Sequence, residues 1–402
     1  MKTLLKNVRI ETDYLTEGSF TYGTATKKLA IMFDSGIITA VLDNEVEISK
    51  ENLTEDLVVI DGQNTLLLPQ LREMHVHFDK SKLGIPWTPI VPVKNRIERF
   101  TKEFDYLNKV PLSFSKRMEN LINLELSCGV THFRSHIDIH PTVGQRYLES
   151  AQKVLENYQN KLDYELVAFP QHGLLLSNAF NEMKTALENG ANLVGGVDPI
   201  SIDNDLETSL NQTFELATQF NVPIDYHLHE RHHDARKVFT KFLTLIEETK
   251  WQGKVTISHA YGLRDLPIEE RKELFARLAA NKVTIISSIP LDFVIPPLTE
   301  LKQAGVKILI GCDNIYDCWS PFGNGDVMDK LNRYAEIFDL TTQKELTESL
   351  ELVTDQKLIT ASGWIKTGMP ANFTLVNAGS TAEFVARKVP VTASYFKGQR
   401  VK

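Results

Sequence analysis

The chain has 402 residues, of which 42% are apolar and 24% charged, so it can build a sizeable core and is not a disordered protein. A net charge of −8, without any run of Lys or Arg, excludes the basic face that is typical of a nucleic-acid binder. Three cysteines make no disulfide framework, and the N-terminal segment is typical of neither a signal peptide nor a membrane span. We therefore expect a cytoplasmic protein in a reducing compartment.

The two ends of the chain share a pattern of short apolar runs that alternate with polar and turn residues. It occurs in the first ~60 residues, as in "KLAIMFDSGIITAVLDNEVEI", and in the last ~35, as in "VPVTASYFKGQRVK". The pattern predicts short β-strands joined by turns. We predict that residues 1–62 and 366–402 pair into one small β-sandwich domain.

Between these ends, residues 63–365 alternate short apolar runs with longer helical stretches. The runs are "NTLLLPQLREMHVH", "GVTHFRSHIDI", "YELVAFPQHG", "ANLVGGVDP", "VPIDYHLHE", "KVTISHA", "KVTIISSIP" and "VKILIGCDN". Segments such as "KTALENG" and "RKELFARLAANK" are typical of amphipathic helices with a capped C-terminus. Eight strands alternating with helices predict an α/β fold, namely a (β/α)8 TIM-type barrel. An open doubly wound sheet is disfavoured, because no Gly-rich phosphate loop follows the first run.

Polar side chains recur at the points where the apolar runs end. They are His75, His77, His136, Asp138, Gln171, His172, Asp198, His227, Glu230, His259 and Asp313. A TIM-type barrel carries its chemistry at the carboxyl ends of its strands, so these residues are candidates for a functional site. His75 and His77 lie two apart on one predicted strand, point to the same side, and can both offer an imidazole to one metal ion.

Several of these strand ends together resemble a known family. The segments "HVHFDKSKLG", "VAFPQHGLL", "DYHLHE", "ISHA" and "GCDNIYDCWSPFG" occur in this order along the chain. The set is similar to the amidohydrolase superfamily, and most closely to its cytosine deaminase-like branch. The resemblance spans nearly the whole chain, including the β domain that is split between the two ends.

The resemblance implies one divalent metal ion per chain, either Zn²⁺ or Fe²⁺. Its expected ligands are His75, His77, His227 and Asp313. Imidazole and carboxylate suit both ions, and the bound metal would make hydroxide available at neutral pH. The two-metal members of the superfamily often bridge their ions with a modified lysine after the third or fourth strand. No lysine stands there in this chain, which favours a single metal ion.

The resemblance also implies the catalytic and substrate-binding residues. Glu230 would protonate a ring nitrogen and pass the proton to the leaving amine, and His259 would stabilise the developing negative charge. Asp313 would act as a base beside the water in addition to binding the metal. The expected substrate-binding residues are Gln171, Asn314 and Trp319. His229 shares the strand parity of His227, but the family pattern His-x-x-Glu begins at His227, so His229 receives no role.

The predicted function is a metal-dependent hydrolytic deaminase that removes an exocyclic amino or alkylamino group from a small nitrogen heterocycle. Asn314 and His172 replace carboxylates that are usual in cytosine deaminases, while "HFDKSKLG" also resembles the branch that hydrolyses aminotriazines. A cyclic-amide (ring-opening) amidohydrolase and a non-catalytic ligand-binding relative are the alternatives. The expected partner is the small heterocyclic substrate, with no nucleic acid and no membrane, and the resemblance implies a homo-oligomer.

Overall fold

A computed structural model describes residues 2–43, 57–291 and 293–402 of the chain. The first strands are β1 (Thr3–Glu17), β2 (Phe20–Asp34), β3 (Ile37–Asp43) and β4 (Val58–Pro69). The part of the predicted N-terminal β region that spans residues 44–56 lies outside the described residues.

Eight parallel strands follow and form the second sheet. They are β5 (Leu71–Val76), β6 (Val130–Asp138), β7 (Asp163–Phe169), β8 (Leu193–Val197), β9 (Ile224–Leu228), β10 (Val255–His259), β11 (Thr284–Ser287) and β12 (Lys307–Ile310). Each strand pairs with the next one along the chain, from β5 to β12. The eight predicted strands and the (β/α)8 TIM-type barrel are thus confirmed. The first predicted run is divided, because residues 64–69 belong to β4 and only Leu71 begins the barrel.

Helices occupy most of the connections between the barrel strands, namely α1 (Arg96–Leu107), α2 (Phe114–Cys128), α3 (Arg146–Leu155), α4 (Phe180–Glu188), α5 (Leu206–Phe220), α6 (His232–Thr249), α7 (Ile268–Ala280) and α8 (Leu298–Gln303). After β12 come α9 (Val327–Ile337), α10 (Gln343–Ser349) and α11 (Glu351–Thr354), and α12 (Thr381–Arg387) lies farther along the chain, in the terminal β region. Local sequence fixes several ends: Ser113 caps the N-terminus of α2, and Gly129 follows its C-terminus in the left-handed conformation. Within the described ranges, none of the helices combines the length and apolarity needed to cross a bilayer.

The last strands return to the sheet formed by the first ones. They are β13 (Phe373–Val376), β14 (Val391–Phe396) and β15 (Gln399–Arg400). Hydrogen bonds join the seven terminal strands into one continuous sheet in the order β15-β14-β13-β4-β1-β2-β3. The predicted β domain built from both ends of the chain is therefore confirmed.

The barrel closes between its first strand and its last. Val76 and Asp313 form an isolated parallel bridge, in which the Asp313 N–H donates to the His75 carbonyl at 2.6 Å. The fully buried carboxylate of Glu73 accepts the N–H groups of His75, at 2.8 Å, and of Cys312, at 2.9 Å. The closing seam thus fixes the backbone on both sides of the predicted metal ligands.

Candidate active site

The predicted metal ligands converge at the carboxyl ends of the barrel strands. His75 lies on β5 and His77 just beyond it, His227 lies on β9, and Asp313 follows β12. The ring centroids are 4.7 Å apart for His75 and His227, and 5.4 Å apart for His77 and His227. The Oδ1 of Asp313 lies 3.5 Å from the His75 Nε2 and 3.3 Å from the His77 Nε2. The structure therefore brings together the four residues that the sequence proposes for the metal.

His136, on β6, joins this cluster, although the sequence assigns it no role. One ring nitrogen of each of His75, His77, His136 and His227 lies within 4.8 Å of those of the others. The polar position at the end of the second predicted strand indicates that His136 faces the site, but not that its ring reaches the ligands.

The donor set fits a divalent metal ion. The His75 Nε2 and both ring nitrogens of His227 are buried and have no hydrogen-bond partner. Burial, together with nearby cationic groups, holds the pKa of His77 and of His227 well below the usual range, so both rings are neutral and able to bind a metal. Burial opposes ionisation of Asp313, but the adjacent His75 and His77 rings outweigh it and lower the pKa of that carboxyl. Neutral imidazoles and a carboxylate are ligands that suit Zn²⁺ and Fe²⁺.

A buried chain of hydrogen bonds orients His75. Its Nδ1 lies 2.9 Å from the Ser258 Oγ, and that hydroxyl donates to the Asp225 Oδ1 at 2.8 Å. Because the single hydroxyl hydrogen goes to Asp225, the Ser258 oxygen accepts from the Nδ1–H of His75. The Nε2 lone pair is thereby left free on the side of Asp313. The Asp225 carboxylate is itself neutralised by Arg134, at 2.9 Å.

Glu230, predicted as the proton shuttle, lies just beyond β9 and is 5% exposed. Its Oε1 accepts the N–H groups of Ile200, at 2.9 Å, and Ser201, at 3.0 Å, while its Oε2 is buried without a partner. Burial, and then the neighbouring Asp198, raise the pKa of Glu230 to about 8. The carboxyl is therefore mostly protonated at neutral pH, with Oε2 as the oxygen that carries the proton.

Asp198, at the end of β8, connects Glu230 to two further groups. Its fully buried carboxylate accepts from the Arg96 guanidinium at 2.6 Å and from the backbone N–H of His229 at 2.6 Å. The His229 Nδ1 lies 2.8 Å from Asp198, and the His229 ring stacks on His259 at 4.5 Å. His229 is thus part of the site, which the family pattern does not indicate.

A cavity with about 360 Å³ of empty space opens beside the cluster. Its lining includes His77, His227, His259 and Asp313 together with the predicted substrate-binding residues Gln171, Asn314 and Trp319. Of the described residues, Glu230 is not among those that line the cavity, whereas His229 and Arg96 are. All the catalytic and substrate-binding residues proposed from the sequence, except Glu230, therefore surround one space.

Comparison with known proteins identifies the family. Residues 140–402 match the model of the amidohydrolase family. The chain belongs to the amidohydrolase family. It is 36% identical over 404 residues to the uncharacterized protein YahJ of Escherichia coli (strain K12), covering 99% of this chain and 87% of that protein.

Two solved structures share the whole fold of this amidohydrolase. N-isopropylammelide isopropylaminohydrolase from Burkholderia multivorans has a TM-score of 0.87 and is 27% identical, covering 99% of this chain and 97% of that one. A 5-methylcytosine deaminase from Klebsiella pneumoniae has a TM-score of 0.81 and is 23% identical, covering 100% and 98%. The predicted membership of the superfamily is confirmed, and the protein is a hydrolase of carbon–nitrogen bonds other than peptide bonds.

One helix that lines the cavity of this amidohydrolase is not predicted from the sequence as part of the site. Helix α1 supplies Arg96 and Phe100 to the lining, and Phe100 contacts the Trp319 ring at 5.6 Å. The Lys80 ammonium lies 5.4 Å from the Trp319 ring and 5.5 Å from the Phe169 ring. A helix after the first strand is expected in any barrel, and its sequence alone does not show which of its faces covers the cavity.

Proposed function

We propose that this amidohydrolase removes an exocyclic amino or alkylamino group from a small nitrogen heterocycle, using one divalent metal ion. The observation that carries the proposal is a cluster of buried neutral imidazoles and an ionised carboxylate, with a buried protonated carboxyl close by. Deamination requires this combination, because water must be activated and the leaving amine must receive a proton. A protein that only binds a ligand needs neither group.

The chain offers four residues to hold Zn²⁺ or Fe²⁺. They are His75, His77, His227 and Asp313, with His136 adjacent to them. When bound there, a divalent ion supplies a Lewis acid that makes hydroxide available near neutral pH. The absence of a lysine after the third and fourth strands supports one ion, rather than the two that ring-opening members of the superfamily usually hold.

The remaining steps belong to side chains of the protein. Glu230 holds a proton at Oε2 and donates it to a ring nitrogen of the substrate; it then takes the proton of the new C–OH group as the carbonyl forms and passes it to the departing amine. The proton that Asp313 takes from the water restores the acid form of Glu230 through solvent. Asp313, whose pKa is lowered, accepts the proton that the attacking water loses. Burial also lowers the pKa of His259, so its neutral ring can donate one N–H to the negative charge that develops on the substrate.

The substrate class follows from the cavity and from the relatives. The aromatic rings of Phe100, Phe169 and Trp319 line the cavity beside its polar side chains, which suits a flat heterocycle. The Burkholderia multivorans relative is, by its name, an isopropylaminohydrolase of N-isopropylammelide, which supports an alkylamino leaving group. Asn314 presents a buried Oδ1 without a partner, at the position where cytosine deaminases usually carry a second aspartate. These features favour an aminotriazine-like ring over cytosine.

A release assay tests the proposal. The protein, purified without chelator, is incubated with aminopyrimidines, aminopurines, aminopterins and amino- or alkylamino-triazines, and ammonia and alkylamine are measured. We expect turnover of at least one triazine or pyrimidine and about one metal ion per chain. Ring opening without amine release, or no reaction with any of these compounds, would overturn the proposal.

A further inference from the structure

The side-chain amide of Gln171 is held in one orientation by a residue that the proposed function leaves unassigned. Gln171 follows β7 and lines the cavity, and it is 2% exposed. Its Nε2 donates to the Glu103 Oε1 at 2.9 Å, whereas its Oε1 is buried and has no partner among the residues that the structure describes. A buried amide oxygen without a partner is costly, so this atom needs a donor that the protein itself does not supply.

Glu103 reaches Gln171 from the helix that covers the cavity. It lies on α1 and is 3% exposed, on the face that also carries the buried Phe100 and Leu107. Because α1 packs over the barrel mouth through this face, the carboxylate has little freedom to move away from Gln171. Hydrogen bonding to a fixed acceptor removes the usual freedom of an amide to turn by 180°.

We infer that Glu103 is a positioning residue that sets the specificity of the site by fixing the Gln171 oxygen as a hydrogen-bond acceptor for the substrate. A ring that satisfies this oxygen carries an N–H at the matching position, as in a cyclic amide or cyclic urea edge. An unprotonated ring nitrogen presents a lone pair to the same oxygen and is rejected. The inference rests on the proposed function and narrows its substrate class to amino-substituted lactam rings.

Glu103 fixes Gln171 in its ionised form, because a carboxylate can accept a hydrogen bond but cannot donate one. Burial raises the pKa of this carboxyl, whereas the Lys80 ammonium and the Gln171 N–H oppose the increase and favour the ionised form. The Gln171 amide nitrogen therefore stays on the side of Glu103.

Substitution of Glu103 by glutamine tests the inference with the smallest change in shape. The new amide can donate as well as accept, so it allows the Gln171 side chain to turn and removes the preference for an N–H on the ligand. Asp105→Asn, an exposed carboxylate-to-amide change on the same helix, serves as the control. Metal content and thermal midpoint of each protein establish that the fold and the metal site are intact.

Equilibrium binding separates this inference from the proposed function, because it requires no turnover. Uracil and cyanuric acid, each compared with its mono-N-methyl derivatives, are titrated into metal-loaded protein, and binding is followed by isothermal titration calorimetry. We expect at least one N-methylation to increase the Kd of the wild type. The same methylation should increase the Kd of Asp105→Asn by a similar factor, and that of Glu103→Gln by a factor at least about tenfold smaller. Comparing the same ligands in both proteins cancels the added bulk of the methyl group.

Each other outcome overturns the inference. Equal effects of methylation in wild type and Glu103→Gln, with metal content unchanged, would mean that Glu103 does not set the edge preference. Failure of wild type to bind any of these lactams would mean that the substrate class is wrong. Amine release in the separate assay decides the proposed function, so an inactive protein that still prefers N–H ligands would overturn only that proposal.

Discussion

At the scale of single residues, Glu230 and Asp313 are two carboxyl groups whose surroundings drive their pKa values in opposite directions. The Asp313 carboxylate lies 3.5 Å from the His75 Nε2 and 3.3 Å from the His77 Nε2, and its pKa is lowered. Glu230 is buried beside the carboxylate of Asp198, and its pKa is raised to about 8. A site that holds one ionised and one protonated carboxyl at the same pH can both accept and donate a proton.

Replacement of Glu230 by glutamine removes the transferable proton and keeps the shape of the side chain. We expect Glu230→Gln to bind its metal as the wild type does and to lose amine release by at least about 100-fold, the usual minimum for general acid–base catalysis. Metal analysis and the release assay measure the two effects. Glu215→Gln, an exposed change on α5, is the control. Activity that survives in Glu230→Gln would show that the proton comes from another group.

The pH profile follows from the raised pKa of Glu230. The acid form is needed for the first proton transfer, so kcat/KM should be high below about pH 8 and fall as the pH rises through the pKa. The negative charge of Asp198 contributes to this pKa, so Asp198→Asn should lower it and shift the alkaline limb to lower pH. The midpoint of the limb is the quantity to compare, because Asp198 also bonds His229 and Arg96 and its loss can reduce the rate itself. An unchanged midpoint would contradict the assignment.

Residues of the candidate site could be predicted from the sequence where the end of a predicted strand coincides with a motif of the family. His75, His77, His227, His259 and Asp313 meet both conditions, and they all line the cavity or lie in the metal cluster. The residues that the sequence leaves out act through partners far away in the chain. Ser258 reaches His75 across 183 positions and Glu103 reaches Gln171 across 68, and no local pattern encodes such pairs.

At the scale of elements, three barrel strands contribute side chains to a hydrogen-bonded polar layer that lies next to the metal cluster. Arg134 on β6 reaches Asp225 on β9 at 2.9 Å and Thr256 on β10 at 3.3 Å. Ser258 donates to Asp225 and accepts from His75, so it fixes the orientation of the His75 ring relative to this layer. The strands thus determine the orientation of a metal ligand, as well as its position.

Removal of the Ser258 hydroxyl tests this layer. We expect Ser258→Ala to weaken metal binding by about 10–100-fold, because the His75 ring loses the acceptor that fixes its tautomer and orientation. Competition with a chelator of known affinity measures the change. Ser394→Ala removes a buried hydroxyl on β14 that has no partner, and it should leave metal affinity unchanged. Equal affinities in the two variants would mean that Ser258 contributes nothing to the site.

The strands and helices of the barrel could be read from alternating apolar runs and capped helices, but two element-level features could not. The run "NTLLLPQLREMHVH" is apolar on both sides of Pro69, so its hydrophobicity does not reveal that β4 leaves the terminal sheet there. Helix α1 buries Phe100, Glu103 and Leu107, but a glutamate in such a row is usually exposed. Its burial depends on Gln171, which only the folded chain brings near.

At the scale of the whole molecule, the two ends of the chain hold the terminal sheet together and join it to the barrel. Strand β1 pairs with β4, and β4 pairs with β13 from the other end of the chain. The Arg9 guanidinium donates to the carbonyls of Ala378, at 2.6 Å, and Gly379, at 3.2 Å. A Cβ added to Gly129, at the start of β6, would lie 2.8 Å from the Val391 side chain, so the barrel and the terminal sheet pack closely there.

The proposed metal position connects this architecture to stability. His75 lies on the first barrel strand and His77 just beyond it, Asp313 follows the last strand, and His227 comes from the middle of the barrel, so one ion would join both sides of the closing seam. A ligand that binds only the folded state stabilises it by about 2.7 kcal/mol at 100 times its Kd. We therefore expect chelation to lower the thermal midpoint by roughly 3 °C, and Zn²⁺ to restore it. His227→Ala should melt near the midpoint of the chelated wild type and respond weakly to added metal, whereas His233→Ala, on the charged start of α6, should respond as the wild type does. A wild-type midpoint that is the same with and without chelator, in protein that demonstrably loses its metal, would mean that the ion does not bridge the seam.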